Sequence, residues 1–566
     1  MLKEFKKLLL TNNLDGYVVP KNDEYFTEYA SPDRLLKISK FSGSAGFAIL
    51  MKNKNFLFVD GRYTLQAQLE SGANFKILEI PKLFPYDLFK NSSSETRIGF
   101  DPKLFTNRML KVYFKNSCKL VPVNKNLVDE TSPEKHNIQV NYFYNIKKEN
   151  SGESLASKTE RLCKILKKNK IDNIFISAPE NIAWLLNLRG NDNPNSPVPN
   201  AKGIITKNKE IYIFTKLSKI KKIKKLKIYK KINFLEESAV YSIIKDLVGK
   251  NFCIDNLTCS IFFEHLIRSS FKISHFFDPC YQLKSIKNNT EIYHTKKTHV
   301  YDGVALTKFL YWAKHNNLRN LDEKKAEKKL EYFRKQNKSY LYPSFNTIMG
   351  SGPNSAIIHY RSNSKTNRKI KKNDILLCDS GGQYKYGTTD VTRTICFSKP
   401  SKNIKNIFTR VLKGHISVVR TNLNKIKEGY KIDKNARYWL NKVNLDYPHG
   451  TGHGVGFFLN VHEGPQGLSK YNKVKLKNGM ILSNEPGFYK KDKFGIRIEN
   501  LIYIAQKKGK LFFENLTFAP IDKDLINFKM LNKVEKNYLF KYNLEIYEKI
   551  SKFLNKKEKN WLLNFI

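Results

Sequence analysis

A chain of 566 residues is too long for a single hydrophobic core, so roughly three or four domains are expected. Hydrophobic residues make up 41% and aromatics 13%, which supports packed cores and excludes a disordered chain. The 101 Lys and Arg against 51 Asp and Glu leave a formal charge of +50, which raises the question of a polyanionic partner. In chain order, a helix over about residues 2–12 leads into a strand at Asp15–Pro20. Then come Phe41–Gly46 and a strand pair ending Val59-Asp60-Gly61-Arg62-Tyr63. Alternating short helices and strands predict an α/β layer over residues 1–130. Asp60 and Arg62 are read as a turn closed by local hydrogen bonds.

Thr131-Ser132-Pro133 and the polar stretch to Gly152 read as a linker. A second α/β unit then follows, giving a segment 131–287 when the linker is included. It opens with a helix, Ser154 to Lys170, and a strand, Asp172–Ser177. Trp184 is expected in its core. The densest charge run, Lys216 to Lys231, alternates lysine pairs with Ile and Leu, with no aromatic RNA motif beside it. It is read as a solvated edge of a helix or strand. Lysine is abundant along the whole chain, so nucleic acid is not an expected partner. The seven cysteines (Cys118, Cys163, Cys253, Cys259, Cys280, Cys378 and Cys396) are scattered and odd in number, which favours thiols in a reducing compartment. The N-terminal apolar run is too short for a signal peptide and no stretch approaches a membrane span, so a soluble cytoplasmic protein is expected.

The third unit, 288–510, opens with Thr290 as the expected cap of a long helix to about His315. His294 and His299 lie on it five apart, a spacing that does not face one metal, so both are read as surface or packing residues. Asp322 starts a second helix to about Gln336. Residues 344–359 run from a strand into a loop that carries His359.

Short, turn-rich blocks then concentrate carboxylates and histidines. Asp379 follows Ile-Leu-Leu-Cys, Asp390 precedes Val-Thr-Arg-Thr-Ile, and Gly381-Gly382 lie between, which reads as a hairpin with the two aspartates side by side. Glu485 and Glu499 repeat the pattern around a second turn. Between the two pairs lies His449-Gly-Thr-Gly-His453-Gly-Val-Gly, followed by His462-Glu463; three of the chain's eleven histidines fall within fifteen positions. Glycines there allow tight backbone and bring ring nitrogens close to a bound group. Four neighbouring buried carboxylates would repel unless cations neutralise them, and two divalent metals would do so. An oxygen-rich set with a single His suits Mn²⁺, Co²⁺, Fe²⁺ or Zn²⁺ and not a thiolate site.

This ordered set resembles the pita-bread metallopeptidases, the family of methionyl aminopeptidase, prolidase and aminopeptidase P. The match runs through Asp379, Asp390, His453, Glu485 and Glu499, with supporting blocks at Ile357–Tyr360 and Val461–Glu463. The resemblance implies two creatinase-like α/β domains, at 1–130 and 131–287, ahead of an α+β pita-bread catalytic domain at 288–510. A helical extension at 511–566, containing Tyr538, Tyr542 and Trp561, resembles that of the long, often dimeric members. It further implies that Asp390 and Glu499 bridge two metal ions, with Mn²⁺ the first choice, while Asp379 holds one and His453 and Glu485 the other. The two metals would hold a hydroxide for attack on a peptide carbonyl, with Glu485 shuttling its proton. His359 and His462 would donate to the oxyanion, and His449 would line the proline-side pocket. Arg497 and Tyr489 are expected behind the ligands, Arg497 on the substrate-binding side as well. Arg189 and the loop at 191–200 resemble a block that faces the active site across a subunit interface; no catalytic role is assigned to it. The expected activity is release of an N-terminal residue that precedes proline, by a homodimer that needs no membrane. Two other readings stay open at this point: a prolidase acting on Xaa-Pro dipeptides, and a non-catalytic binding protein of the same fold.

Overall fold

The structure is a computed structural model that describes residues 1–90, 95–131 and 140–566. The chain divides into two compact units, one of residues 1–148 and 153–281, the other of residues 149–152 and 282–566.

The first unit holds the same layer twice. The opening helix, Leu2–Thr11, buries Phe5 and Leu9 on one face. It packs by a six-stranded sheet of strands Gly16–Pro20, Phe47–Met51, Asn55–Asp60, Lys76–Ile80, Arg97–Phe100 and Lys119–Pro122. Counted in chain order, these lie as 4-3-2-1-5-6. The second sheet is built from Asn173–Ile176, Lys202–Thr206, Ile211–Phe214, Ile232–Leu235, Asn251–Ile254 and Lys272–His275, and its order is again 4-3-2-1-5-6. Strand directions agree as well: in each sheet the first strand pairs antiparallel with the second and parallel with the fifth. The repeat reaches single residues. An aspartate follows the fifth strand in both, Asp101 and Asp255, and accepts the backbone N–H two residues on, from Lys103 and Leu257 at 2.9 Å each. The duplicated creatinase-like layout expected above is thus present in order, direction and a shared turn.

Three local readings are corrected. Lys216 to Lys231 is not an edge of a helix or strand. Two 3₁₀ turns, Leu217–Ile220 and Lys227–Tyr229, occupy it and bury Ile220, Ile223 and Tyr229. The apolar residues recur every third position, the period of that helix, so the lysines between them face solvent, except Lys219, which pairs with Asp192 at 2.6 Å. The linker reading fails from residue 140 on, where Phe143 and Ile146 are buried and Tyr144–Asn145 pairs with Leu188–Arg189; residues 132–139 lie outside the described residues. The cap of the long helix Asn289–His315 is Asn288, not Thr290: its side chain accepts from Glu291 N while the Glu291 carboxylate accepts from Asn288 N, so two end donors are met at once.

In the second unit two antiparallel hairpins carry the chemistry. Ile375–Ser380 pairs with Val391–Cys396, and Ile481–Asn484 pairs with Asn500–Lys507. Each has a smaller ribbon inserted at its turn, Gly382–Tyr384 with Gly387–Thr388 in the first and Gly487–Lys490 with Phe494–Arg497 in the second. The helix Lys402–Val419 buries Phe408, Val411, Leu412 and Ile416 against Ile496 and Ile498. The C-terminal helices Lys533–Ile550 and Lys556–Leu563 add Tyr542, Ile546 and Leu562 to that same core. The extension therefore packs where the ligand-bearing strands pack.

Candidate metal centre

Strand register sets the four carboxylates. Asp379 lies opposite Thr392, two residues beyond Asp390. Residues two apart on a strand share a face, so the aspartates are diagonal neighbours rather than directly opposed. Glu485 and Glu499 are the residues immediately beyond the Asn484–Asn500 pair. His453 joins them on a short strand, Gly452–Gly454, beside Ile481–Asn484. Its flanking glycines are explained by close approach. A Cβ on Gly452 would sit 1.9 Å from Ser483 O, and one on Gly454 2.2 Å from Glu463 O.

The ligand atoms form two overlapping sets. Asp379, Asp390 and Glu499 offer oxygens within 4.8 Å of one another, as do atoms of His453, Glu485 and Glu499. Glu499 belongs to both, and His453 Nε2 lies 3.4 Å from Asp390 Oδ2 and 3.5 Å from Glu485 Oε1. The five predicted ligands therefore form one cluster built from overlapping sets. Asp379, Asp390 and Glu499 are buried. Burial, with neighbouring carboxylates adding to it, pushes Asp379, Glu485 and Glu499 above the usual carboxylate range, Glu499 furthest. Burial opposes charge on His453 too, but Asp390 and Glu485 outweigh it and push the imidazole up to about 9. Asp379 Oδ1 is buried without a hydrogen-bond partner. A site that raises three acids and orphans a carboxylate oxygen fits two divalent cations.

Around the ligands a hydrogen-bonded frame fixes their orientation. Arg497 donates to Asp379 Oδ2 at 2.6 Å, to the Tyr489 hydroxyl at 2.5 Å and to Thr392 Oγ1 at 3.1 Å. Thr392 in turn donates to Glu499 Oε2 at 2.8 Å. His453 N donates to Ser483 Oγ at 2.9 Å, and that hydroxyl donates to Glu485 Oε1 at 3.1 Å. Arg393 is buried and holds the backbone of both hairpins through Thr392 O and Glu499 O, and it donates to Ala519 O and the Tyr542 hydroxyl. Arg497 thus lies against the candidate ligand Asp379, with Tyr489 against Arg497. Thr392 and Ser483 were missed. A signal existed, since each is two residues from a ligand on one strand and so shares its face.

The three remaining histidines flank this cluster. His462 offers a nitrogen within 4.8 Å of ligand atoms of Asp390 and His453, and its ring lies 4.3 Å from that of His453. His449 Nδ1 lies 4.0 Å from Glu485 Oε2, and its Nε2 meets the Tyr489 hydroxyl at 2.9 Å. His359 is half-buried, and the preceding carbonyl, Ile358 O, accepts from Arg497 at 3.4 Å. Glu323, fully buried, holds that turn: it accepts from Ser351 N, Asn354 Nδ2, the Tyr360 hydroxyl and Arg368 N at 2.7 to 3.1 Å. No sequence pattern pointed to Glu323, because its partners lie 28 to 45 residues away.

The family model for metallopeptidase family M24 matches residues 294–506, that for the C-terminal region of the same peptidases matches 509–565, and two creatinase/prolidase N-terminal domain models match 1–130 and 132–291. A probable Xaa-Pro aminopeptidase P of Laccaria bicolor is 35% identical over 98% of this chain and 90% of its own length. Xaa-Pro aminopeptidase 1 of Dictyostelium discoideum is 35% identical over the whole of this chain and 95% of its own. Among solved structures, the X-prolyl aminopeptidase of Caenorhabditis elegans, described as a cytosolic enzyme with a di-nuclear active site, superposes with a TM-score of 0.93 at 28% identity, covering 100% of this chain and 98% of that one. The Xaa-Pro dipeptidase of Bacillus anthracis shares the fold of part of the chain, with a TM-score of 0.53 at 23% identity over 65% of it and 99% of its own length. The chain belongs to metallopeptidase family M24, among the Xaa-Pro aminopeptidases that carry two creatinase-type N-terminal domains.

Proposed function

We propose that this peptidase releases the N-terminal residue from peptides with proline in second position, and that Asp379, Asp390, His453, Glu485 and Glu499 hold its two metal ions. The observation that carries the reading is the pair of three-ligand sets sharing Glu499. When bound, two divalent cations would neutralise the carboxylates, activate a water and polarise the scissile carbonyl. Asp390 and Glu499 would serve both ions, Asp379 one, and His453 with Glu485 the other. Arg497 keeps Asp379 oriented and Thr392 keeps Glu499 oriented. The imidazole Nδ1 of His453 points to Gly454 O at 2.9 Å, which leaves Nε2 free for the cluster. Glu485, whose carboxyl is raised by burial, is suited to carry a proton toward the leaving amine. His462 and His359 donate to the developing oxyanion, and His449 shapes the proline side.

Manganese as the native metal, a cytoplasmic location and a homodimer belong to the same proposal. The cytosolic description of the Caenorhabditis elegans enzyme and seven buried free cysteines support the location. Among the described residues no helix is long and apolar enough to cross a membrane. Phe540, Leu544, Phe553 and Leu563 are exposed on the C-terminal segment, apolar side chains that a second copy would cover; light scattering that reads one chain mass at working concentration sinks the dimer. The activity is tested by hydrolysis of Arg-Pro-Pro and Arg-Pro with metal-stripped enzyme before and after Mn²⁺ is restored. Metal-dependent cleavage of the tripeptide is expected. Cleavage of the dipeptide alone makes the chain a prolidase, and cleavage of neither with metal bound makes it a binding protein.

A further inference from the structure

The backbone that carries His449 has no ladder of its own. Residues 445–451 form neither helix nor strand, and Pro448 cannot donate a backbone hydrogen bond. Their order comes from a neighbouring helix, Gly429–Asn441, where Asp433 and Arg437 stand one turn apart. Arg437 Nε donates to Asp433 Oδ2 at 2.9 Å. Its other nitrogens reach Asp446 Oδ1 and Tyr447 O at 2.7 Å each and His449 O at 2.5 Å. The guanidinium carbon also lies 4.0 Å from the centre of the Tyr447 ring. Asp433 takes the far end of the segment, accepting from Thr451 Oγ1 at 2.6 Å and Thr451 N at 3.3 Å. The Tyr447 hydroxyl closes the loop on Thr451 Oγ1 at 2.5 Å.

From the clamped segment two contacts lead into the centre. Thr451 O accepts from Glu485 N at 2.8 Å, and the His449 ring meets the Tyr489 hydroxyl, which Arg497 also contacts. Arg437 thus binds three acceptors within four residues, with its fork divided between an acidic helix neighbour and loop carbonyls. Lysine offers a point charge on a flexible stem and cannot span that set.

We propose that Arg437 and Asp433 are positioning residues that hold the His449 imidazole at the substrate side of the centre, and so set affinity for peptides with proline in second position. The inference rests on the function proposed above. In sequence the pair reads only as an ordinary i,i+4 ion pair on a helix face; its task comes from what lies across from it.

The test is a double-mutant cycle in the full-length, metal-loaded protein with R437K, H449A and the combined variant. Each is measured for kcat and KM on Arg-Pro-Pro, for metal content, and for hydrogen exchange of the peptide spanning residues 446–451. R437K is expected to raise KM about tenfold with kcat changed less than about threefold, the pattern of lost binding shared by ground and transition states. Two metals per chain are retained, and exchange in 446–451 is faster. In the H449A background R437K adds no further rise in KM. An unchanged KM in R437K, or KM effects that multiply in the double variant, overturns the proposal. If the wild type cleaves neither peptide, the function reading fails by itself, and unchanged exchange in R437K then overturns the clamp.

Discussion

Two groups of buried carboxylates, one in each unit, are met in opposite ways. In the first unit Asp101, Asp255 and Asp278 are met by neutral donors close by. Asp101 accepts from Asn126 Nδ2 and Lys103 N, Asp255 from Leu257 N and Asp278 N, and Asp278 from Asn181 Nδ2 and Cys280 N, all between 2.7 and 3.0 Å. Such groups secure turns and leave nothing over to bind with. In the second unit Asp379, Asp390, Glu485 and Glu499 crowd together, and the cations facing them among the described residues are Arg497 and His453. A folded chain tolerates that excess only where something from solution completes it. Buried charge alone therefore says little about function; concentrated, unbalanced buried charge says a great deal.

The strongest way to break the contrast is Asp390→Ala. Removing a ligand that faces both centres should cost more than about 100-fold in kcat/KM, since losing even a hydrogen-bond partner of a ligand costs 10 to 100-fold. Metal analysis should find fewer than two ions per chain in a protein with unchanged circular dichroism. Full activity with two ions bound would end the dinuclear assignment.

A smaller effect comes from stripping the metal without mutation. Asp379, Glu485 and Glu499 have raised folded values, burial being the main cause, and His453 stands at about 9 against 6.5 unfolded. A group raised on folding contributes stability that is complete below its unfolded value and lost as pH climbs through the folded one. The melting temperature in chelator should fall from pH 6.5 to 9, and restored divalent cation should flatten that fall. A flat or rising profile in chelator would show that the cluster is not protonated in place of metal.

The smallest effect belongs to the first unit. Asn126→Ala removes the Nδ2 donor to Asp101 and the Oδ1 acceptor for Val128 N. Denaturant unfolding should register about 1–3 kcal/mol for the buried acceptor left unmet. Metal content should stay at two ions; a loss of metal would show that the units are not separable in this respect.

Much of the candidate centre was legible because the candidate ligands sit at strand ends with turn residues beside them. Asp379 and Asp390 flank Gly381-Gly382, and the period of two along each strand sets which residues share their face. The prediction of side-by-side aspartates was slightly off, since the inserted ribbon at Gly382–Thr388 makes them diagonal. The twofold α/β layout was legible from alternating short elements. The Lys216–Lys231 run was misread because alternating apolar residues were given a helix or strand period, and neither fits a spacing of three.

The order of the blocks pointed to the family by resemblance, and with strand period it supplied the five ligand candidates and the histidines around them. These are local facts, written in neighbouring residues. Tertiary structure alone decided what holds them. Glu323 grips the turn of His359, Arg393 joins two hairpins to the C-terminal helices, and Arg437 spans the segment of His449. Each is a buried or half-buried polar group whose partners, backbone and side chain alike, lie elsewhere in the chain. Hydrogen bonds between distant segments leave no period in a sequence, so only the fold could reveal them.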